Sequence, residues 1–149
     1  MGLTDDLGKG RVGLDTSVFI YFIEEERRYL PVVEPLFAQA DAGSRELVTS
    51  ALTLLELLVI PYRAGDRLLA DRYEQLLTHS RGIRMVDLSR DQLRDAALLR
   101  AVTNVKTPDA LQLTAAATSG CVAFVTNDRR LPTVKDMRIL QLRDYLRAD

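Results

Sequence analysis

The chain has 149 residues, of which 47% are apolar and 28% are charged, and this composition is typical of a single soluble domain. One cysteine, Cys121, and one histidine, His79, exclude a disulfide framework and a metal site built from several cysteine or histidine ligands. The net charge of −1 excludes a global basic field of the kind that attracts nucleic acid, and the first residues lack the apolar segment of a signal peptide.

The predicted elements begin after residues 1–10, a polar stretch that we expect to be a loose leader to one domain at residues 11–149. Predicted strands cover residues 11–15, 46–49, 83–87, 121–126 and 138–142. Predicted helices cover residues 16–23, 31–42, the stretch from the cap Ser50 to just before Pro61, the stretches that start at Asp66 and at the cap Ser89, residues 107–119, and the tail. Strands that alternate with helices indicate an α/β sandwich with a mainly parallel sheet of about four or five strands. No apolar run approaches the roughly 18 residues of a membrane span, so we expect a cytoplasmic protein without membrane contact.

The first predicted strand ends in an acid, Asp15, which is followed at once by a helix. Aspartate is a favoured N-cap residue, so Asp15 could serve only to begin that helix. The carboxyl ends of strands are also where open α/β sheets bind their ligands. Asp15 is therefore a candidate site residue if other acids converge on the same edge of the sheet.

A second acid, Glu56, has two leucines on each side of it in a predicted helix. A helix this apolar is largely buried, and burying a charge without a partner costs several kcal/mol. Glu56 therefore either lies on the one solvated face of its helix or is neutralised by a cation.

Two further acids, Asp109 and Asp128, are predicted to lie at the same edge of the sheet as Asp15. Asp109 is in the first turn of an apolar helix, where interaction with the helix dipole is an alternative reason for its presence. Asp128 follows the most apolar strand, as Asp15 follows the first, although Asn127-Asp128 is also a common turn sequence. In a parallel sheet the strand that ends at Asp15 and the strand before Asp128 have their carboxyl ends on one edge. The helix that carries Asp109 leads into the strand before Asp128, so we expect its start to lie near that edge as well.

Acids gathered at one edge would repel one another, so their arrangement predicts a bound divalent cation. Oxygen ligands without histidine or cysteine suit Mg²⁺ or Mn²⁺. Mg²⁺ bound by carboxylates keeps water ligands, so the predicted chemistry is metal-assisted hydrolysis of a phosphodiester. Ser17 and Thr126 could support this site by hydrogen bonding to a carboxylate, a metal-bound water or a phosphate.

Four short motifs, in this order along the chain, resemble those of PIN-domain nucleases, and most closely the VapC-like toxin ribonucleases of toxin–antitoxin modules. They are Leu14-Asp15-Thr16-Ser17, Leu55-Glu56, Pro108-Asp109-Ala110-Leu111 and Thr126-Asn127-Asp128. Each motif alone is weak, whereas the four in order are fairly specific. The resemblance covers nearly the whole chain after residue 10.

The resemblance implies a three-layer α/β sandwich with a mainly parallel five-stranded sheet between helices. It also implies a Mg²⁺- or Mn²⁺-dependent endoribonuclease that acts on RNA. Its metal and catalytic residues would be Asp15, Glu56, Asp109 and Asp128. A homodimer and a cognate antitoxin protein are implied as well, and because such an antitoxin often binds DNA itself, no direct DNA binding by this chain is expected.

Two other functions remain open at this stage. A receiver-type signalling domain also gathers acids at strand ends, but it needs a lysine directly after a strand, and Lys106 follows a predicted helix. A non-catalytic PIN-like module would bind RNA or a protein without cleavage, but all four acids are present. Arg129 and Arg130 follow the fourth acid and could contact RNA phosphates or simply be surface charges.

Overall fold

The computed structural model describes residues 2–146, in which strands and helices alternate as predicted. The strands are β1 (Val12–Leu14), β2 (Leu47–Ser50), β3 (Ile83–Val86), β4 (Ala123–Thr126) and β5 (Arg138–Gln141). The α-helices are α1 (Leu3–Leu7), α2 (Thr16–Ile23), α3 (Leu30–Asp41), α4 (Leu52–Arg63), α5 (Arg67–His79), α6 (Arg90–Val102) and α7 (Thr107–Thr118), and a 3-10 helix covers Leu142–Tyr145. Over this range, no helix combines the length and the apolar character needed to cross a bilayer.

The five strands form one sheet in the order β3-β2-β1-β4-β5, and every pairing is parallel. This confirms the predicted α/β class and the mainly parallel five-stranded sheet. β2 and β3 lie in succession on one side of β1, whereas β4 and β5 lie in succession on its other side. The direction in which strands are added to the sheet therefore reverses between β1 and β4. Open α/β sheets bind ligands at such a switch point, beyond the carboxyl ends of the strands. Leu14 pairs with Val125, so the residues that follow β1 and β4 are neighbours.

Helices cover both faces of the sheet, which gives the three layers of the predicted sandwich. One core includes Leu47 and Val125 and packs against α2, α3 and α5. The other includes Val48 and Phe124 and packs against α6 and α7. Adjacent residues of one strand enter different cores because successive side chains of a strand point to opposite faces.

Gly13, in the middle of β1, allows α7 to approach the sheet closely. A Cβ atom at this position would lie 2.6 Å from Cβ of Ala116 on α7 and 2.8 Å from Cδ1 of Phe124 on β4. Such separations are shorter than van der Waals contact, so no larger residue fits without movement of its neighbours. The glycine thereby sets the distance between β1 and the helix that begins near Asp109.

The amino-terminal segment is not the loose leader predicted for residues 1–10. Its residues 3–7 form α1, whose Leu3 and Leu7 are only 4% and 2% exposed and belong to the first core. The buried Arg45 donates hydrogen bonds to the carbonyl oxygens of Gly8 (2.8 Å) and Gly10 (3.0 Å). The prediction failed because two leucines four residues apart, the only apolar signal in this stretch, are enough to bury one face of a single helical turn.

The boundaries of α4 also differ from those predicted. Ser50 is the last residue of β2 rather than the N-cap, although its hydroxyl still accepts a hydrogen bond from the backbone N–H of Leu52 (3.1 Å). Pro61 lies inside the last turn of the helix instead of just beyond it. A proline removes only its own N–H, and the carbonyl of Ile60 still pairs with the N–H of Ala64 (3.1 Å), so the helix continues to its last turn.

Candidate functional site

Asp15 joins the ends of the two central strands through its two carboxylate oxygens. Oδ1 accepts a hydrogen bond from the backbone N–H of Thr16 (2.8 Å), so the residue is the N-cap of α2. Oδ2 accepts a hydrogen bond from the hydroxyl of Thr126 at the end of β4 (2.7 Å). Burial raises the pKa of Asp15, these two hydrogen bonds oppose the rise, and the charge of Asp128 adds to it. Asp15 is therefore both a helix cap and a half-buried carboxylate at the switch point.

Asp128 lies in the turn after β4 and is held by the backbone and by an arginine. Its own N–H donates to the hydroxyl of Thr126 (3.0 Å), and its Oδ1 accepts from the backbone N–H (2.9 Å) and the side-chain Nε (3.2 Å) of Arg130. The backbone hydrogen bond from Arg130, followed by the interaction with its guanidinium, lowers the pKa of Asp128. Asp128 is thus ionised, and its charge is already partly balanced by Arg130.

The carboxylate of Asp109, in the first turn of α7, accepts no hydrogen bond from another residue in the range 2–146. Burial raises its pKa, and the negative charges of Asp128, Asp15 and Glu56 raise it further, against the opposing charge of Arg130. Three other acids thus act electrostatically on this one carboxyl group. The structure therefore places all four predicted acids in one neighbourhood, which we call the acid cluster (Asp15, Glu56, Asp109 and Asp128).

Glu56 is the member of the acid cluster that α4 contributes, and its side chain is half-buried. Its Oε1 accepts a hydrogen bond from the hydroxyl of Thr16, the first residue of α2 (2.7 Å). The sequence left two alternatives for this residue, a solvated helix face or a cationic partner. The observed partner is a neutral hydroxyl group, which orients the carboxylate without cancelling its charge.

Behind Glu56 lies a set of buried polar side chains that the sequence analysis missed, which we call the threonine–glutamine network (Thr16, Thr49, Thr53 and Gln112). The amide of Gln112, which is only 2% exposed, donates to the hydroxyl of Thr53 (2.6 Å) and to that of Thr16 (3.3 Å). A possible signal was present in the sequence, since Gln112 is the one amide in a run of small apolar residues on α7. A polar residue there must find partners in the core.

The family model of the PIN domain matches residues 12–137, which is most of the chain. The chain belongs to the PIN domain family. Among solved structures, VapBC2 from Rickettsia felis bound to a promoter DNA fragment has a TM-score of 0.67 and 15% identity, over 88% of this chain and 98% of that chain. For VapC20 of Mycobacterium tuberculosis, a sarcin–ricin loop cleaving toxin, the TM-score is 0.64 and the identity 16%, over 80% and 91% of the two chains.

A toxin–antitoxin complex from Klebsiella pneumoniae is also similar to this PIN domain, with a TM-score of 0.62 and 18% identity, over 87% of this chain and 95% of that chain. At such low identities these similarities establish a shared fold. No curated protein matches the sequence. The match to the family confirms the resemblance that the four motifs indicated.

The predicted supporting residues of this PIN domain have different environments. Thr126 is buried and contacts two members of the acid cluster, as its hydrogen bonds to Asp15 and Asp128 show. The hydroxyl of Ser17 is a buried atom without a hydrogen-bond partner in the described part of the chain. Arg129 pairs with Asp144 on the surface (2.8 Å).

The donor set of the PIN domain fits a hydrated divalent cation. Within residues 2–146, no three His, Cys, Asp or Glu side chains are grouped closely enough to form a complete metal-binding set. Mg²⁺ does not need such a set, because it usually keeps several water ligands and takes one or two carboxylates from the protein. Burial and then three neighbouring negative charges raise the pKa of Asp109, and a cation would compensate those charges. The residues therefore suit Mg²⁺ or Mn²⁺ and do not suit a soft metal that prefers nitrogen or sulfur.

Proposed function

We propose that this PIN domain is a Mg²⁺- or Mn²⁺-dependent endoribonuclease that hydrolyses RNA phosphodiester bonds. The observation that carries the proposal is the convergence of Asp15, Glu56, Asp109 and Asp128 at the switch point between β1 and β4. Thr126 contacts Asp15 and Asp128, Thr16 contacts Glu56, and the charges of these three acids add to the burial that raises the pKa of Asp109. Acids that repel one another lower stability, so their presence together is explained best by a function that uses their combined charge. A groove lined by residues of α2, α3 and α5 contains none of these acids.

Each acid has a role that follows from its contacts. Asp15, fixed by Thr126 and by the start of α2, and Asp109, whose carboxylate is unengaged in the described range, would hold the cation. A bound divalent cation would lower the pKa of water and stabilise the leaving oxygen of a phosphodiester. Glu56 has one oxygen fixed by Thr16 and the other available to hold the cation through one of its water ligands. Asp128 would contribute its charge once Arg130 turns from it towards a phosphate of the substrate.

We further propose that the protein is the toxin of a toxin–antitoxin pair, acts in the cytoplasm, forms a homodimer and is inhibited by a cognate antitoxin. Two of the similar structures, from Rickettsia felis and Klebsiella pneumoniae, are toxin–antitoxin assemblies, and a third protein is named for cleavage of the sarcin–ricin loop. The net charge of −1 supports the view that this chain does not bind DNA by itself.

The decisive experiment incubates the purified protein with structured RNAs in Mg²⁺, in Mn²⁺ and in EDTA, beside the variants Asp15→Asn and Asp87→Asn. Asp87 is a matched control because it is an exposed acid directly after β3, at the same edge of the sheet but outside the acid cluster. We expect cleavage in metal, none in EDTA, and a loss of more than about 100-fold in Asp15→Asn, the upper end of the cost of disturbing a ligand's surroundings. Asp87→Asn should cleave like the wild type.

Cleavage that persists in EDTA or in Asp15→Asn would refute the proposed function. Thermal unfolding separates the nuclease from a non-catalytic module, because a cation that binds only the folded protein raises its Tm. A wild-type Tm that does not respond to Mn²⁺ would argue for the non-catalytic module.

Expression in a host should arrest growth, and the product of a neighbouring gene should relieve the arrest. Normal growth with an active enzyme would instead indicate an RNA-processing role.

A further inference from the structure

The threonine–glutamine network connects the buried side of α7 to the acid cluster. Thr49 is on β2, Thr53 on α4, Thr16 on α2 and Gln112 on α7, so four elements meet at one set of hydrogen bonds. Thr49, Thr53 and Gln112 are 1%, 0% and 2% exposed. Buried polar groups are costly unless they are fully paired, so their geometry is tightly constrained.

The amide of Gln112 determines the direction of the hydrogen bonds around it. Its Oε1 accepts from the backbone N–H of Ser50 (3.3 Å) and lies 3.3 Å from the hydroxyl of Thr49, whose single proton is shared with the carbonyl oxygen of Leu14 (3.1 Å). The amide therefore cannot be flipped without placing its NH₂ group against the backbone N–H of Ser50. Its Nε2 must then point to Thr53 (2.6 Å) and Thr16 (3.3 Å) and donate to both hydroxyl oxygens.

This direction leaves one outcome for the hydroxyl of Thr16. Its oxygen accepts from Gln112, and Oε1 of the Glu56 carboxylate (2.7 Å) can only accept, so its single proton is directed to Glu56 rather than to the hydroxyl of Thr53. Thr53, which lies 3.2 Å from Thr16 and 2.7 Å from Thr49, closes the other side of the network. The rotamer of Glu56 is thus coupled to a glutamine that does not touch it.

We propose that Gln112 is a positioning residue that acts through the hydroxyl of Thr16 to hold Glu56 in the orientation required by the metal site, an inference that rests on the proposed function. The backbone N–H of Ser50 fixes the amide, the amide fixes the hydroxyl of Thr16, and that hydroxyl fixes one oxygen of Glu56. Partners of this kind around a metal site change metal affinity by about 10–100-fold when they are removed.

Three single variants test this chain of contacts. Gln112→Glu keeps the size of the side chain and its acceptor but loses the NH₂ donor, so the proton of Thr16 is drawn towards residue 112. Gln112→Met removes donor and acceptor at similar volume. Thr114→Val is the matched control, because Thr114 is a 5% exposed polar residue of the same helix whose hydroxyl has no hydrogen bond to the threonine–glutamine network.

The main measurement is the dissociation constant of Mn²⁺ without RNA, obtained by electron paramagnetic resonance of the free ion, together with urea unfolding without metal. We expect Gln112→Glu and Gln112→Met to weaken Mn²⁺ binding by about 10-fold or more. Thr114→Val should bind Mn²⁺ like the wild type even if it is equally destabilised. Because metal affinity is measured on the folded protein, a purely structural role of Gln112 would change unfolding and leave this constant unchanged.

A double-mutant cycle then tests the route through Thr16. Thr16→Val keeps the backbone N–H that donates to the N-cap Asp15 and loses only the hydroxyl, and it should weaken Mn²⁺ binding as Gln112→Met does. The double variant should be no weaker than either single variant, to within about twofold, because both changes interrupt the same path. Effects that multiply would show that Gln112 acts independently of Thr16 and would overturn the inference.

The same titration separates this inference from the proposed function. If the wild type binds Mn²⁺ and Asp15→Asn does not, the metal site is established, and unchanged binding by the Gln112 variants then overturns the positioning role alone. A wild type that neither binds Mn²⁺ nor cleaves RNA overturns the proposed function and this inference with it.

Discussion

The close packing of α7 against β1 predicts that Gly13→Ala destabilises the protein. Gly13 is the central residue of a three-residue strand, and the neighbours that a methyl group would meet are both buried: Ala116 and Phe124 are each 1% exposed. Neither neighbour can move its side chain into solvent. The strain must therefore be relieved by a shift of the helix or of the adjacent strand.

The size of the effect follows from the distances. Carbon atoms in contact are about 3.5–4.0 Å apart, so the 2.6 Å between the added methyl group at Gly13 and Cβ of Ala116 is about 1 Å too short. Overpacking of this kind costs about 1–3 kcal/mol, and the lower chain entropy of alanine in the unfolded state returns about 0.4–1 kcal/mol. From the central values of these ranges the net loss is about 1.3 kcal/mol, which for a chain of this length lowers Tm by about 3–5 °C.

Urea unfolding followed by circular dichroism measures this loss, with Gly2→Ala as the control. The nearest atom to a methyl group at Gly2 would be 3.7 Å away, and its φ of −81° suits alanine. This variant should be nearly neutral, because the entropic gain of alanine is offset by the loss of a favourable N-cap residue of α1. A second change, Ala116→Gly, removes one of the two clashing atoms. It should recover part of the stability lost in Gly13→Ala, although alone it costs about 1 kcal/mol of helix propensity.

Gly13→Ala with wild-type stability would refute the view that this contact sets the spacing of β1 and α7. So would a double variant in which the two losses simply add, because residues in contact should show a coupling of about 0.5 kcal/mol or more.

Two further predictions concern the acid cluster and its support. The pKa of Asp109 is raised above its ordinary value of 3.8, so the unfolded chain releases this proton first and stability falls as the pH rises above that value. Asp109→Asn should therefore raise the Tm at pH 7 without metal and lose this advantage below the ordinary pKa. A lower Tm at pH 7 would contradict this sign. Thr126→Val removes the hydroxyl that donates to Asp15 and should cost about 1–3 kcal/mol in urea unfolding. It should also weaken Mn²⁺ binding by about 10–100-fold, and unchanged binding would mean that the hydroxyl does not position the carboxylate.

The acid cluster was predictable because strand ends are easily recognised in this chain. Asp15 and Asp128 each follow a short apolar run, and in a parallel sheet such positions share one edge. Glu56 was conspicuous as a charge among leucines. The fold class was predicted from short apolar runs that alternate with amphipathic helices. The same apolar runs mark the strand ends, so one pattern predicted both the sheet and the position of the acids.

The threonine–glutamine network could not be predicted in the same way. Gln112 bonds to Thr53 and Thr16, residues that are 59 and 96 positions away, and no local pattern reports such pairs. Burial of α1 was missed for a related reason, since Leu3 and Leu7 acquire their environment only from the rest of the folded domain. The boundary of α4 at Pro61 was misplaced because helix propensity penalises proline even where one lost hydrogen bond is tolerated.

The pairing of β1 with β4 also determines at which point of synthesis the acid cluster can form. β1 lies beside β4, so Gly13 pairs with Phe124 across most of the length of the chain. Contacts of such long range form late, after the intervening chain is available to close the loop. During synthesis the ribosome therefore releases Asp15 long before its partner Thr126, and a chain that terminates before β4 carries isolated acids with no strand to bring them together. The order of the strands thus leaves every translation product that ends before β4 without the assembled acid cluster.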